Sequence, residues 1–131
     1  MEYKLRIEAD GGVAVRTVNG ELSADAVLAA RHELITHPDY RPGMNELWDL
    51  SEATLSNLSA TELSNLINRI QTDSDAYSGH YKVAVVVPQD FGYGVARQFQ
   101  ALSDEAVSFA LVPFRRADEA WEWLRPGRIE R

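Results

Sequence analysis

The stretch Tyr81–Lys82–Val83–Ala84–Val85–Val86–Val87–Pro88 decides the fold class of this chain. It contains five consecutive apolar residues, four of them valine. The run is too short to cross a bilayer, and its β-branched side chains disfavour a helix. A strand that is apolar on both faces is typical of the centre of a parallel sheet covered on both sides. The stretch therefore predicts an α/β protein with a buried central strand.

The N-terminal segment predicts an antiparallel hairpin beside this sheet. Residues 3–9 alternate apolar with charged or polar side chains, as a half-buried strand does. Asp10–Gly11–Gly12 supplies the residues of a tight turn, and Val13 to Val18 returns as the second strand. We expect these two strands to pair with each other.

Helical and strand patterns then alternate along the rest of the chain. The first predicted helix runs from Ala24 to Thr36 with Ser23 as its N-cap, and the second follows the N-cap Ser59. The third carries Val95, Phe99 and Leu102 on its inner face, and the fourth runs from Ala117 to Leu124. The other strands are Leu47 to Leu50, the central strand, and Val107 to Val112, stopped by Pro113; residues 51–58 and 71–79 are read as connectors. The order β-β-α-β-α-β-α-β-α predicts a five-stranded mixed sheet, mostly parallel, flanked by four helices.

Size and composition restrict the class of protein further. At 131 residues we expect one domain over 1–131, with residues 125–131 as a frayed tail. The chain has no cysteine and no apolar window long enough for a transmembrane helix, and its start does not resemble a signal peptide, so a cytoplasmic location is expected. A formal net charge of −7 makes nucleic acid an unfavourable partner.

The segment after the central strand is the first candidate ligand site. Phe91–Gly92–Tyr93–Gly94 is read as a glycine-rich turn into the third helix, where backbone N–H groups can hold an anion. Arg97 lies one turn further on, and Arg115 follows the fifth strand at the same sheet edge. Tyr93 and Arg97 share the outer side of the helix, which could also form a dimer contact. The alternative is a tight turn with solvated arginines.

Asp49 is the second candidate, because it is the charged residue inside the short apolar strand at Leu47 to Leu50. As a functional group it would be an acid, a base or a ligand at a strand end. Alternatively, its carboxylate accepts hydrogen bonds in the connector that follows, as aspartate does in turns. We favour the second interpretation. No pair of histidines has metal-binding spacing, and no nucleophile–base motif is present, so we expect neither a cofactor nor catalysis.

Several stretches together resemble the SpoIIAA-like family, small bacterial proteins related to the STAS domain of anti-sigma-factor antagonists. They are His37–Pro38–Asp39–Tyr40 with Leu47–Trp48–Asp49–Leu50, Lys82–Val83–Ala84–Val85–Val86 with Gly92–Tyr93–Gly94–Val95–Ala96–Arg97, and Glu119–Ala120–Trp121–Glu122–Trp123–Leu124. The resemblance covers nearly the whole chain. It implies a fold shared with STAS and Sec14-type lipid-binding domains, and most such proteins have no assigned activity.

The resemblance also implies a position for phosphorylation. Signalling STAS domains carry a phosphorylatable serine in an Asp-Ser-Ser-Gly-Leu motif, and Ser59 falls at that position here. Asn57, Leu58 and Ala60 depart from the motif, and Glu62 adds a negative charge nearby. The simpler interpretation of Ser59 is a helix N-cap.

Three functional hypotheses follow from these observations. The first is a non-catalytic module that binds a small ligand or a protein partner. The second, implied by the resemblance, is a phosphorylation-regulated anti-sigma-factor antagonist. The third is a lipid-binding carrier of the Sec14-like type.

Overall fold

A computed structural model describes residues 2–8, 12–72, 80–104 and 106–125. The observed element order is the predicted one. The strands are β1 (Glu2–Glu8), β2 (Val13–Glu21), β3 (Asn45–Thr54), β4 (Lys82–Val86) and β5 (Ala110–Phe114). The helices are α1 (Ala24–Ile35), α2 (Ala60–Thr72), α3 (Asp90–Ser103) and α4 (Ala117–Leu124).

The five strands form one sheet in the order β1-β2-β3-β4-β5. β1 is antiparallel to β2, with Leu5 opposite Arg16. The pairs β2–β3, β3–β4 and β4–β5 are parallel. This confirms the predicted mixed sheet with an antiparallel N-terminal strand.

The central strand contributes side chains to both faces of the sheet. Val83, Val85 and Val87 pack into the core formed with α1, α2 and α3. Ala84 and Val86 pack into a smaller core with α4 on the opposite face. The strand is apolar throughout because both of its faces are covered, as the valine run predicts.

Two strands extend beyond their predicted ends. β2 continues to Glu21 and β3 to Thr54, so half of the predicted connector at residues 51–58 is strand. The parallel pairing resumes after a register shift between Thr17 and Asn19 and reaches Glu21 opposite Thr54. The extension was missed because its alternating residues are polar, and backbone pairing maintains the strand there without an apolar core.

The fifth strand contains the proline that was expected to stop it. β5 runs from Ala110 to Phe114, and Pro113 pairs with Val85. The Phe114 carbonyl accepts a hydrogen bond from Val87 N, so the backbone groups of Phe114 face β4. Those of Pro113 then point to the free edge of the sheet, where the missing N–H removes no ladder hydrogen bond.

Helix α3 begins earlier than predicted. It starts at Asp90, so Phe91 to Gly94 lie in its first turns and form no glycine-rich loop. Gly92 is needed for packing, because a Cβ there would lie 2.6 Å from Val87 Cγ1. Leu102, expected on the inner face, is 41% exposed, and the inner face continues through Ser103 instead.

Some predicted features lie wholly or partly outside the described residues. These are Asp10–Gly11 of the hairpin turn, residues 73–79 of the connector after α2, and residues 126–131 of the C-terminal segment. Gly12, on the described side of the turn, has a positive φ of 62°. Across the described ranges, none of the helices combines the length and apolarity needed to span a membrane.

Candidate functional site

The predicted site at the carboxyl edge of the sheet is only partly assembled. The Arg115 guanidinium lies 4.2 Å from the centroid of the Tyr93 ring. Its Nη1 donates to Asp90 Oδ1 at 2.6 Å and to the Pro88 carbonyl at 3.3 Å. The structure therefore brings Tyr93 and Arg115 together, but an aspartate already compensates the charge of this arginine.

The other two residues of that prediction lie on the outside of α3. Gly94 and Arg97 are exposed, and a Cβ at Gly94 would contact nothing within 4 Å. Both residues lie along the side of the helix and not in a loop that encloses a ligand. No closed cradle forms around them in the described part of the chain.

Asp49 makes the local contacts that the turn interpretation predicts. Its Oδ1 accepts hydrogen bonds from Ser51 N at 3.0 Å and from Ser51 Oγ at 2.6 Å. It alternates along β3 with Trp48 and Leu50, which face the three-helix side, so it points to the α4 side. Arg115 and Tyr93 form their contact beside α3, on the other side of the sheet, and Asp49 does not join it.

Ser59 has the geometry of a helix N-cap. It is exposed, and its Oγ accepts a hydrogen bond from Glu62 N at 3.2 Å at the start of α2. The connector before it is held by Glu21, whose carboxylate accepts from Thr54 Oγ1, Asn57 N and Ser56 Oγ at 2.7 to 2.8 Å. Those hydrogen bonds, that from Thr54 first, lower the pKa of Glu21.

An apolar chamber lies between the sheet and helices α1, α2 and α3. Its volume is about 80 Å³. The walls include four residues of the sheet, three of α2 and three of α3: Trp48, Val83, Val85, Leu111, Leu63, Leu66, Ile70, Val95, Ala96 and Phe99. The charged residues that reach it are Arg31 and Glu46. The chamber therefore favours a mainly apolar ligand, and any polar group on that ligand would lie near Arg31 and Glu46.

A buried ion pair adjoins the chamber. Arg16 and Glu46 are almost fully inaccessible, and Arg16 Nη1 donates to Glu46 Oε1 at 2.7 Å. The same carboxylate oxygen accepts from Trp48 Nε1 at 3.0 Å, and Arg16 Nη2 donates to the Ala30 carbonyl at 2.7 Å. The guanidinium also lies 4.3 Å from the centroid of the Trp48 ring, a cation–π distance. These contacts compensate the charge of Glu46 and orient Trp48 at the chamber wall.

A second recess of about 260 Å³ adjoins the chamber and shares Arg31, Ile70 and Phe109 with it. Tyr81 also lines the recess, with its ring 5.4 Å from that of Phe109. Burial, followed by the nearby Glu46 carboxylate, raises the pKa of Tyr81 to about 12. The Arg31 guanidinium opposes this rise through its charge and through its approach to the Tyr81 hydroxyl, although that contact lies outside ordinary hydrogen-bond geometry.

Sequence reasoning missed the buried ion pair. The predicted third strand begins at Leu47, which leaves Glu46 outside it and makes Asp49 the charged residue within it, whereas β3 begins at Asn45. The available signal was the spacing: Arg16 alternates with Val18, and Glu46 alternates with Trp48, so both charged residues face the core that contains Val18 and Trp48.

Comparisons with known proteins agree with this architecture. No protein-family model and no curated protein matches the sequence. Among solved structures, the chain is similar to an uncharacterised protein of the DUF3478 family with a SpoIIAA-like fold from Shewanella loihica PV-4. The match has a TM-score of 0.55 and 12% identity, and it covers 94% of this chain and 92% of that one. The chain therefore has the SpoIIAA-like fold expected from the resemblance, and at this identity the likeness extends to the fold alone.

Proposed function

We propose that this chain is a non-catalytic binding module that holds a small apolar ligand in the chamber between the sheet and helices α1 to α3. The observation that carries the proposal is the chamber itself, about 80 Å³ of space with almost wholly apolar walls. Ligand sites in proteins are typically concave and apolar, with a few polar groups that orient the ligand. Arg31 and Glu46 are the charged residues at this one.

The energetic case rests on the burial of apolar surface. The walls of the chamber are almost wholly apolar, and a ligand gains roughly 25 cal/mol for each Å² of apolar surface that its binding removes from water. Such a ligand also stabilises the folded state, because it binds the native chamber and not the unfolded chain.

The absence of catalysis is part of the proposal. Glu46, the carboxylate at the chamber, is engaged by Arg16 and Trp48. An acid or base for catalysis needs access to a substrate proton, and a carboxylate held by two donors in the core is better suited to orienting its neighbours. This arrangement supports a structural role for Glu46.

Native mass spectrometry of protein purified without detergent tests the proposal. We expect a co-purifying small molecule, or, after its removal, binding of added apolar compounds that shifts the fluorescence of Trp48 in the chamber wall. Ala96→Leu is the matched control, because it places three further carbons in the chamber and should abolish both signals. Equal binding by the wild type and Ala96→Leu would place the ligand elsewhere.

The phosphorylation-regulated antagonist is a second hypothesis, supported by the exposure of the Ser59 hydroxyl. Phosphate at a helix N-terminus is electrostatically favourable, although Glu62 opposes it. Phosphopeptide mass spectrometry after incubation with candidate kinases tests it, with Ser59→Ala as the control. An unmodified Ser59 under conditions that phosphorylate a known STAS substrate would refute it.

A further inference from the structure

We propose that ligands enter the apolar chamber through the groove between α1 and α2, and that the ion pair between Asp25 and Arg69 closes this entrance. The inference rests on the proposed function and deepens it, because it specifies the route by which a ligand reaches the chamber and the contact that controls its entry.

The first argument is the position of the groove. It lies between residues 23–25, at the start of α1, and one side of α2, and its volume is about 490 Å³. Leu66 lines both the groove and the chamber, so its side chain lies at the boundary between them. A movement of α2 that carries Leu66 away from α1 would therefore join the two spaces.

The second argument is the way in which α2 is held over the chamber. Leu63, Leu66 and Ile70 of this helix line one side of the chamber, and residues of β3, β4 and β5 line the other. Among the described residues, the main close backbone contacts of α2 are with α1 and α3, whereas α3 itself lies close to β5 and α4 lies close to β4. Helix α2 therefore meets the sheet mainly through side chains that border the chamber, so a small outward shift of the helix leaves the strands undisturbed.

The third argument is the ion pair across the groove. Arg69 Nη1 donates to Asp25 Oδ1 at 3.0 Å, and both residues line the groove. The side chain of Arg69 is 59% exposed and that of Asp25 is 88% exposed, so water competes for both charges and the pair is weak. It therefore closes the groove at a small cost of opening, and salt should weaken it further.

Labelling of a thiol placed in the chamber wall tests the entrance, because the chain has no cysteine of its own. Ala96 lines the chamber and is 5% exposed, so the thiol of Ala96→Cys reacts with methyl methanethiosulfonate when the reagent reaches the chamber. Ala84→Cys is the control, because Ala84 is fully buried in the smaller core on the other face of the sheet.

We expect the thiol of Ala96→Cys to react at least about tenfold faster than that of Ala84→Cys, because local opening is more frequent than global unfolding. Its rate should not change in low concentrations of urea, since a local opening exposes little surface. Equal rates with the same dependence on urea would mean that both thiols react through global unfolding, and would overturn the proposed entrance.

A double-mutant cycle in the Ala96→Cys background tests the ion pair. Asp25→Asn and Arg69→Gln should each raise the labelling rate about two- to fivefold, as expected for an exposed pair, and the two together should raise it no further because either change breaks the same contact. Sodium chloride at about 1 M should raise the rate by the same factor when the pair is intact and should not affect the double variant. Arg116→Gln breaks an exposed ion pair at the start of α4 and should leave the rate unchanged. Effects of the two substitutions that multiply, or that are absent, would overturn the role of the pair.

Two neighbouring substitutions on α2 test the route. Asn65 lines the groove, whereas Ser64 is exposed and is not part of the groove lining. Asn65→Trp fills the groove and should reduce the labelling rate of Ala96→Cys towards that of Ala84→Cys, and Ser64→Trp should leave it unchanged. The reverse result would place the entrance on the α3 side of α2 and would overturn the inference.

Failure of the entrance and failure of the proposed function give different results. Labelling that follows the expected pattern, with no binding of any apolar compound, would support the entrance and refute the proposed function. Binding of apolar compounds, with labelling that does not respond to the ion-pair variants, would support the proposed function and refute the role of Asp25 and Arg69.

Discussion

Replacing Glu46 by glutamine removes one negative charge from the core and leaves its shape almost unchanged. Arg16 is 0% exposed and Glu46 2%, so no solvent is available to stabilise the guanidinium that remains. Breaking a buried ion pair by neutralising one partner costs about 3–5 kcal/mol. The glutamine Oε1 can still accept from Arg16 and from Trp48 Nε1, so we expect the lower end, about 3 kcal/mol.

Urea unfolding followed by tryptophan fluorescence and far-UV circular dichroism measures this loss. With a slope m of about 2 kcal/mol per M, the midpoint for Glu46→Gln should fall by about 1.5 M with m unchanged. Glu52→Gln is the matched control, because Glu52 is exposed on the same strand and should change the free energy of unfolding by less than about 0.5 kcal/mol.

The double variant Arg16→Met/Glu46→Met separates charge from packing. It removes both buried charges together, and such replacements are often neutral or stabilising. The Trp48 indole and the Ala30 carbonyl would each lose a partner, at about 1 kcal/mol apiece. We therefore expect the double variant to be more stable than Glu46→Gln. A midpoint for Glu46→Gln within error of the wild type would refute the reasoning, since it would mean that solvent reaches Arg16.

Three further predictions test other parts of the structure. Gly92→Ala should lower the melting temperature, because the new Cβ would clash with Val87 at a cost of about 1–3 kcal/mol in stability. Gly94→Ala in the same helix should instead raise the free energy of unfolding by about 0.5–1 kcal/mol, because its Cβ meets open space. Spectrophotometric titration should show one tyrosine that ionises near pH 12, and this transition should be absent from Tyr81→Phe. The free energy of unfolding of the wild type should fall by up to about 3 kcal/mol between pH 10 and 12, because the unfolded state releases that proton first. A tyrosine titration that is complete by pH 11 would contradict the burial of Tyr81. Folding lowers the pKa of Glu21, so the stabilising contribution of its carboxylate is present above the ordinary pKa of 4.5 and is lost as pH falls through the folded pKa. Glu21→Gln should therefore reduce the slope of the free energy of unfolding against pH on the acid side. An unchanged slope would argue against the three hydrogen bonds to Glu21.

The fold could be predicted from the sequence because its signals are local. The valine run before Pro88 indicates a strand covered on both faces, and the 3.6-residue apolar period of α2 indicates a helix with one buried side. Strand ends were less predictable. Pro113 continues β5 because only the position of that strand at the sheet edge makes its missing N–H harmless.

The predicted site residues show the limit of the same reasoning. Tyr93 and Arg115 meet as expected from their shared sheet edge, but Asp49 points to the other face, and Gly94 and Arg97 lie on an exposed helix side. Strand order places residues at an edge, whereas the pleat and the start of a helix decide which of them face each other.

Apolar periodicity predicted the element order, the buried central strand and the antiparallel hairpin, because such a pattern depends only on residues close together in the chain. Packing between separate elements determines that Arg16 meets Glu46, that the Tyr81 hydroxyl is buried, and that an apolar chamber remains beneath three helices. Such features depend on how separate elements pack, and the small volume left between them is not encoded in any single segment.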